Sequence, residues 1–406
     1  MRLMVVTSRF PWPLEKGDKL RLYHQIRMLA REHEVYLFAL SDREPSAAER
    51  EALAPWLKGL HVEVLSGWRR ALRLLWAPMS SRPFQVHWFY QRPAHRALVA
   101  WMREVQPDHV LAQLVRTAEY VKDAHGVPRT LDYMDALSAG MFRRAAVSPP
   151  PLRWLWAAEA RRLRRYEARI FDYFDAHTLI AEADRSWIMH PEKDRIHIVP
   201  NGVDTSYFTP SPRPEGACCA FIGNMAYAPN VDAAVHLAQD ILPRVKHPGA
   251  TLLLAGASPT PAVRALAGPR VEVTGWVEDI RTAYARAVLF VAPLRLGTGQ
   301  QNKILEAMAS GIPCILSAQV RAGLHPDCLP WDPQAPPSQR GVVWVAEGPQ
   351  QVAEAIDQLL AHPEWREELA RRGREFVCKN ADWSAQTQRL TATFADRVWP
   401  EEKATS

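Results

Sequence analysis

Lys303 and Glu306 stand three residues apart, directly after a loop that carries Gly297, Thr298 and Gly299. In a helix that spacing puts a cation and a carboxylate on one face. The helix is predicted from about Gln301 to Ser310, and the apolar run Leu289–Pro293 before the loop predicts a buried parallel strand. The glycines let the backbone approach a ligand with no Cβ in the way. Free amides and the dipole at the helix N-terminus favour an anion, and Lys303 in the first turn adds a full charge. The set suits a sugar nucleotide, with cation and amides on the diphosphate and Glu306 on the ribose hydroxyls. A solvated Lys–Glu pair on a surface helix would read the same, so the rest of the chain must decide.

Strands and helices alternate along most of the chain, which predicts parallel sheets covered on both faces. Leu3–Ser8 reads as a strand, the segment from Asp18 to about Arg31 as a helix with Asp18 as its N-cap, and Glu34–Ala39 as the second strand. Further strands are expected near 61–65, 109–113, 129–133 and 176–182, the last closing the first sheet. A turn- and proline-rich stretch at 199–217 reads as a linker. The pattern then restarts, with strands expected at 218–223, 250–256, 271–275, 289–293, 313–317 and 342–345. One helix is predicted from Ala353 to about Val377 and another over 382–398. Gly223, Gly256 and Gly275 each end a strand. Ligands of doubly wound sheets gather there, although tight turns alone would also call for glycine.

The 406 residues have room for two or three domains. A composition of 48% hydrophobic and 23% charged residues is that of a water-soluble globular chain. No apolar run reaches the roughly 18 residues needed to cross a bilayer, and the N-terminus reads as a strand rather than a signal peptide, so a cytoplasmic location is expected. The five cysteines lack metal-ligand spacing and are expected to be reduced and mostly buried. No helix-turn-helix, zinc or RNP pattern accompanies the net charge of +6, so nucleic acid is not an expected partner.

Four segments carry a resemblance to a known family: residues 6–35, 198–210 (IVPNGVDTSYFTP), 221–234 (FIGNMAYAPNVDAA) and 271–313. In order and spacing they resemble glycosyltransferase family four, retaining enzymes of the GT-B fold, over nearly the whole chain. The resemblance implies an α/β architecture of two Rossmann-like doubly wound parallel-sheet domains facing a cleft. It places the acceptor-side domain at 1–205, the donor domain at 206–377 and a returning C-terminal helix at 378–406. It implies a nucleotide-sugar donor, a glycan or lipid-linked acceptor, retention of configuration, no cofactor and no metal. It also suggests a role in exopolysaccharide or cell-envelope assembly.

Carried over residue by residue, the resemblance puts Glu306 on the ribose, Gly275, Trp276 and Val277 at the base, and Gly17 in a loop closing over the donor phosphates. Arg21 is expected to point into the cleft. The chain departs from the family at Thr298, where a second glutamate is usual, and around Asn224 and Asn230, where an arginine and a lysine are usual. Arg295 and Lys303 are the expected replacements on the diphosphate, and Thr298 would then bond a donor-sugar hydroxyl. Asp132 and Asp135 occupy the place where the first domain often offers a catalytic base. A sugar-nucleotide epimerase of the same fold and a non-catalytic sugar-nucleotide-binding subunit are the alternative readings. Segments 68–76 and 151–171 mix tryptophan, leucine and arginine, and are expected to lie on an anionic membrane surface as a peripheral contact. A helix packed on its apolar face with solvated arginines would look alike.

Overall fold

A computed structural model describes residues 1–76, 80–212, 215–296 and 300–395. The chain divides into two compact units, Met1–Pro200 with Gln386–Ser406, and Asn201–Ala385. Each unit is built on one sheet, and every strand pair in both sheets is parallel.

In unit 1 the strands are β1 (Arg2–Thr7), β2 (Glu34–Ser41), β3 (Gly59–Val64), β4 (His109–Gln113), β5 (Arg129–Met134), β6 (Ala176–Leu179) and β7 (His197–Ile198), in the order β3-β2-β1-β4-β5-β6-β7. Successive side chains point to opposite faces, and the core shows it. Met4, Val6, Phe38, Leu40, Val110 and Ala112 fill one apolar layer, and Leu3, Val5, Leu37, Ala39 and Leu111 fill the other. The strands therefore read as continuous apolar runs. Leu390 packs into the second layer and Phe394 stacks on His109 at 4.3 Å, so the end of the chain belongs to this unit.

In unit 2 the strands are β8 (Ala217–Ile222), β9 (Ala250–Ala255), β10 (Val271–Gly275), β11 (Leu289–Ala292), β12 (Cys314–Leu316) and β13 (Trp344–Val345), in the order β10-β9-β8-β11-β12-β13. Chain order reverses direction between β1 and β4 in unit 1, and between β8 and β11 in unit 2. These are the topological switch points, where such sheets bind ligands at their carboxyl ends.

Several elements differ from the sequence expectation. The first sheet is closed not by 176–182 but by β7, whose two residues are too few to show an alternation. The helix expected over 353–377 is two, Gly348–Ala361 and Pro363–Asn380, because Pro363 has no N–H and starts a new helix. The strand expected at 342–345 keeps only Trp344–Val345, with Val343 in an isolated bridge to Pro330. The last helix, Trp383–Ala392, ends in a turn at Thr393–Ala395, and the rest of 382–398 lies outside the described residues. Asp18 is not an N-cap. The first helix runs Gly17–Leu29 with Lys16 at its cap, and Asp18 pairs with Arg9 at 2.6 Å. All five cysteines are free, and Cys378 is exposed.

One buried contact ties unit 1 together. Arg21, on the Gly17–Leu29 helix, is 0% exposed and its Nε donates to Oδ2 of Asp132, itself 1% exposed, at 2.8 Å. Oδ1 of Asp132 accepts from the Thr178 hydroxyl at 2.8 Å and from the Met134 N–H at 3.1 Å. Arg21 also donates to the Pro200 carbonyl at 3.2 Å. Arg21, expected to point into the cleft, is instead fully buried, and it joins a helix, β5, β6 and the chain leaving the sheet. Removing one partner of a buried pair strands the other charge, which costs about 3–5 kcal/mol. Arg21→Ala and Asp132→Ala should each lower unfolding free energy by ~3–5 kcal/mol in denaturant titration. Asp132→Ala that unfolds like wild type but has lost turnover would instead make Asp132 a catalytic group.

Candidate functional site

Unit 2 brings four of the expected residues together at the carboxyl ends of β8, β9 and β10. Gly223 follows β8 and Gly256 follows β9. Gly256 has φ +136°, and a Cβ there would lie 1.9 Å from the Gly223 carbonyl oxygen, so neither conformation nor space admits another residue. A Cβ on Gly223 would meet the Asn230 amide at 2.8 Å and Lys303 Nζ at 2.9 Å. Gly275 closes β10 and takes a hydrogen bond from Gly256 N–H at 3.1 Å. Trp276 beyond it is 76% exposed, and Val277 packs against the core.

Lys303 and Glu306 lie on the helix Asn302–Ala309, whose apolar residues Ile304, Leu305, Ala307 and Met308 are buried. They are not a solvated pair, for each has its own neutral partner. Lys303 Nζ donates to Asn230 Oδ1 at 2.5 Å and sits 4.5 Å from the centroid of the Phe221 ring. Glu306 Oε2 accepts from the Tyr284 hydroxyl at 2.7 Å. Burial pulls the Lys303 pKa down to about 8, only partly opposed by Glu306. Burial pushes the Glu306 carboxyl up, against Tyr284 and Lys303. A half-buried ammonium with no carboxylate in contact among the described residues has the chemistry to hold an anion.

Asn230, where the family has a cation, is thus the residue that orients the replacement cation. Its Nδ2 donates to the Asn224 carbonyl at 2.8 Å, and Asn224 Oδ1 accepts from Ala226 N–H at 2.9 Å. Arg295 is placed otherwise than expected. Its fork is closed on Asp232, at 3.1 and 2.6 Å, which leaves Lys303 as the replacement cation not already ion-paired. Gly297, Thr298 and Gly299 lie outside the described residues. Gly17 does not sit in a packed loop: it begins a helix, and a Cβ there would meet nothing within 4 Å.

Three further residues of this site escaped the sequence reading. Tyr284 belongs to a different helix from Glu306. Gln300 exchanges two hydrogen bonds with the Asn201 backbone, at 2.7 and 2.8 Å, which anchors the chain just before the Asn302–Ala309 helix. The IVPNGVD motif was a signal for Asn201, but nothing in it pointed to Gln300.

In unit 1 the two candidate acids part company. Asp132 is closed in its ion pair, with both oxygens occupied, and offers no base. Asp135 reaches the surface, while packing around its carboxyl, and Asp132 nearby, push its pKa up against Arg21 and Arg143. Asp184 joins it: burial first, then Asp135, raise its pKa to about 6. Sequence gave no hint of Asp184, which reaches the end of β6 through a four-residue helix. Of the arginines in 68–76, Arg70 is buried and paired with Asp42 at 2.6 Å, so it is not a surface charge.

Residues 217–362 match the family described as Glycosyl transferases group 1. No curated protein sequence matches the chain. Among solved structures it is similar to sucrose-phosphate synthase from Thermosynechococcus elongatus, at 15% identity and TM-score 0.64, covering 97% of this chain and 98% of that one. It is similar to Anabaena HepE in complex with UDP, at 14% identity and TM-score 0.66, covering 97% and 99%. The lipopolysaccharide outer core galactosyltransferase WaaB follows at 14% identity and TM-score 0.57, covering 97% and 99%. The fold is GT-B, with two parallel-sheet Rossmann-like domains. The family match falls on unit 2.

Lys303 and Glu306 make the site testable. Affinity for a nucleoside diphosphate should be highest below pH 8 and fall above it, because the Lys303 pKa is about 8 and the neutral amine cannot hold the anion. Lys303→Met should abolish that pH dependence in titration calorimetry. Glu306→Ala should weaken nucleoside binding by ~1.5–3 kcal/mol, the worth of a charged hydrogen bond. Unchanged affinity in Glu306→Ala would remove it from the ribose.

Proposed function

We propose that the protein transfers a sugar, with retention, from a nucleotide-sugar donor to a glycan or lipid-linked acceptor in exopolysaccharide or cell-envelope assembly. The observation that carries this reading is the uncompensated Lys303 ammonium beside Glu306 at the switch-point edge of unit 2. UDP and UDP-glucose in the HepE structures, and the galactosyltransferase named for WaaB, support the donor class and the envelope setting. In this reading Lys303 and the helix amides neutralise the leaving diphosphate, and Glu306 orients the ribose. Asp135 and Asp184 are the carboxylates of unit 1 suited to accept a proton, and Asp184 is ionised above a pH of about 6.

We infer further that no metal takes part, as the resemblance to glycosyltransferase family four implies. A panel of nucleotide sugars, with and without acceptor glycans, tests the reading. Nucleotide release that depends on acceptor and persists in a chelator is the expected result. A changed sugar without acceptor would mean an epimerase, and binding without turnover a binding subunit. Lost activity restored by magnesium or manganese would reject the metal-free reading.

No helix among the described residues is long and apolar enough to cross a membrane. The peripheral contact is proposed instead for unit 1, on the cytoplasmic face of the membrane. The helix Leu152–Phe171 exposes Leu152, Trp154 and Leu155 at its start. Arg161, Arg164, Arg165 and Arg169 then line one concave face with Phe142 and Met189. Each basic residue near an anionic bilayer contributes roughly 1 kcal/mol. The protein should co-sediment with phosphatidylglycerol vesicles at low salt and leave them as salt rises. A protein that stays in the supernatant at low salt has a solvated arginine face instead.

A further inference from the structure

Arg116 is a half-buried cation without a counter-ion among the described residues. It follows β4 at the carboxyl end of the unit 1 sheet, and its Nε and Nη2 both donate to one neutral acceptor, Oε1 of Gln85, at 3.0 and 2.6 Å. No carboxylate among the described residues makes an ion pair with it. Two carboxylates act on it from a distance, and both are engaged elsewhere. Asp18 is paired with Arg9 at 2.6 Å. Glu159, 1% exposed, accepts from the backbone N–H groups of Phe84 and Gln85 at 2.7 and 2.9 Å. Glu159 thereby sets the position of Gln85, and Gln85 sets that of the guanidinium.

A second arginine approaches the same ring. Arg9 follows β1, the neighbour of β4 across the switch point. The guanidiniums of Arg9 and Arg116 lie 5.8 and 5.1 Å from the centroid of the buried Phe89 ring. The turn that presents Arg116 is strained. Leu114 has φ +67°, unusual for a side chain of its size. It is held there by its N–H on the Asp132 carbonyl at 2.7 Å and by the Thr117 hydroxyl, which donates to its carbonyl at 2.9 Å. Strain kept by surrounding contacts is found where a site is pre-organised. Burial, then Arg9, draws the Arg116 pKa down to about 10, as expected of a cation lacking its partner.

We propose that Arg116, together with Arg9, which bonds Asp18 through Nη1 and not through its whole fork, forms an anion subsite in unit 1 that takes a phosphate or carboxylate group carried by the acceptor. A guanidinium fork matches either group with two parallel hydrogen bonds. Lys16 and Lys19 line a recess with Arg9, in which Asp42 and Glu49 are paired with Arg70 and Arg43, so the two lysines add to the positive field. The proposal rests on the glycosyl-transfer reading only for the identity of the molecule that brings the anion.

The test reads binding, not turnover. Glycerol 3-phosphate and glucuronate, with glycerol and glucose as neutral controls, are titrated into the full chain by ligand-observed NMR. At least one anion should bind wild type, and the neutral compounds should not. Arg116→Gln and Arg9→Gln should each weaken that binding about tenfold or more, Arg116→Lys less, and Lys303→Met not at all. Binding of the phosphate alone would mark a lipid- or sugar-phosphate acceptor, and of glucuronate alone a uronate-bearing glycan. Neither anion binding, undiminished binding in both Gln variants, or loss confined to Lys303→Met overturns the proposal. If melting shows that Arg116→Gln does not fold, Arg9→Gln and Arg116→Lys decide. Failure of nucleoside diphosphates to bind wild type would reject the donor reading and leave the subsite standing.

Discussion

An ammonium group packed against a phenyl ring, with a carboxamide as its hydrogen-bond partner among the described residues, is an arrangement that water would disfavour. The carboxyl-end edge of the unit 2 sheet is arranged around that group. Gly223 lacks a Cβ because Lys303 and Asn230 occupy the space it would need. Gly256 lacks one because the β8 turn carrying Gly223 lies against it. Tyr284 holds Glu306 on its own hydrogen bond, so the carboxylate does not collapse onto the lysine. The desolvation that lowers the lysine pKa is the same desolvation that makes a bound anion favourable. A pair that neutralised itself would have been more comfortable in the free protein and less useful to a diphosphate.

Unit 1 uses charge in the opposite way. Arg21 and Asp132 bury their charges together and hand each remaining lone pair of the carboxylate to a hydroxyl or an amide. Such a pair carries no chemistry outward. It fixes where β5 and β6 end, and so where Asp135 and Asp184 emerge. Arg116 differs from Arg21 in one respect: the residue placed opposite it is a glutamine. Arg21, on a helix and closed on an aspartate, and Arg116, after a strand and left to a neutral amide, separate a structural contact from a binding one.

The net charge of +6 is also distributed rather than diffuse. Arg295, Arg70 and Arg9 are each answered by a carboxylate. On the Leu152–Phe171 helix, Arg161, Arg164, Arg165 and Arg169 line a concave face with no carboxylate beside them among its described lining residues. Counting basic residues along 68–76 and 151–171 gives both segments similar weight, yet the fold buries Arg70 of the first and leaves a coherent stripe on the second. Three- and four-residue spacing made that stripe readable; the pairing of Arg70 with Asp42 was not.

Local pattern by itself determined the class of fold. Apolar runs of strand length, helices between them and glycines at strand ends require parallel sheets, because only strands covered on both faces read as continuous apolar segments. It also determined that Lys303 and Glu306 share a helix face behind a glycine loop. The partners were decided by tertiary structure alone. Asn230 reaches Lys303 across 73 residues of chain, and Asp132 reaches Arg21 across 111. Which carboxylate is a buried strut and which is open, and which arginine is already answered, depends on packing between elements far apart in sequence. Helix and strand periods are local properties of the backbone, whereas the burial that sets a charge's partner and pKa exists only once the chain is folded.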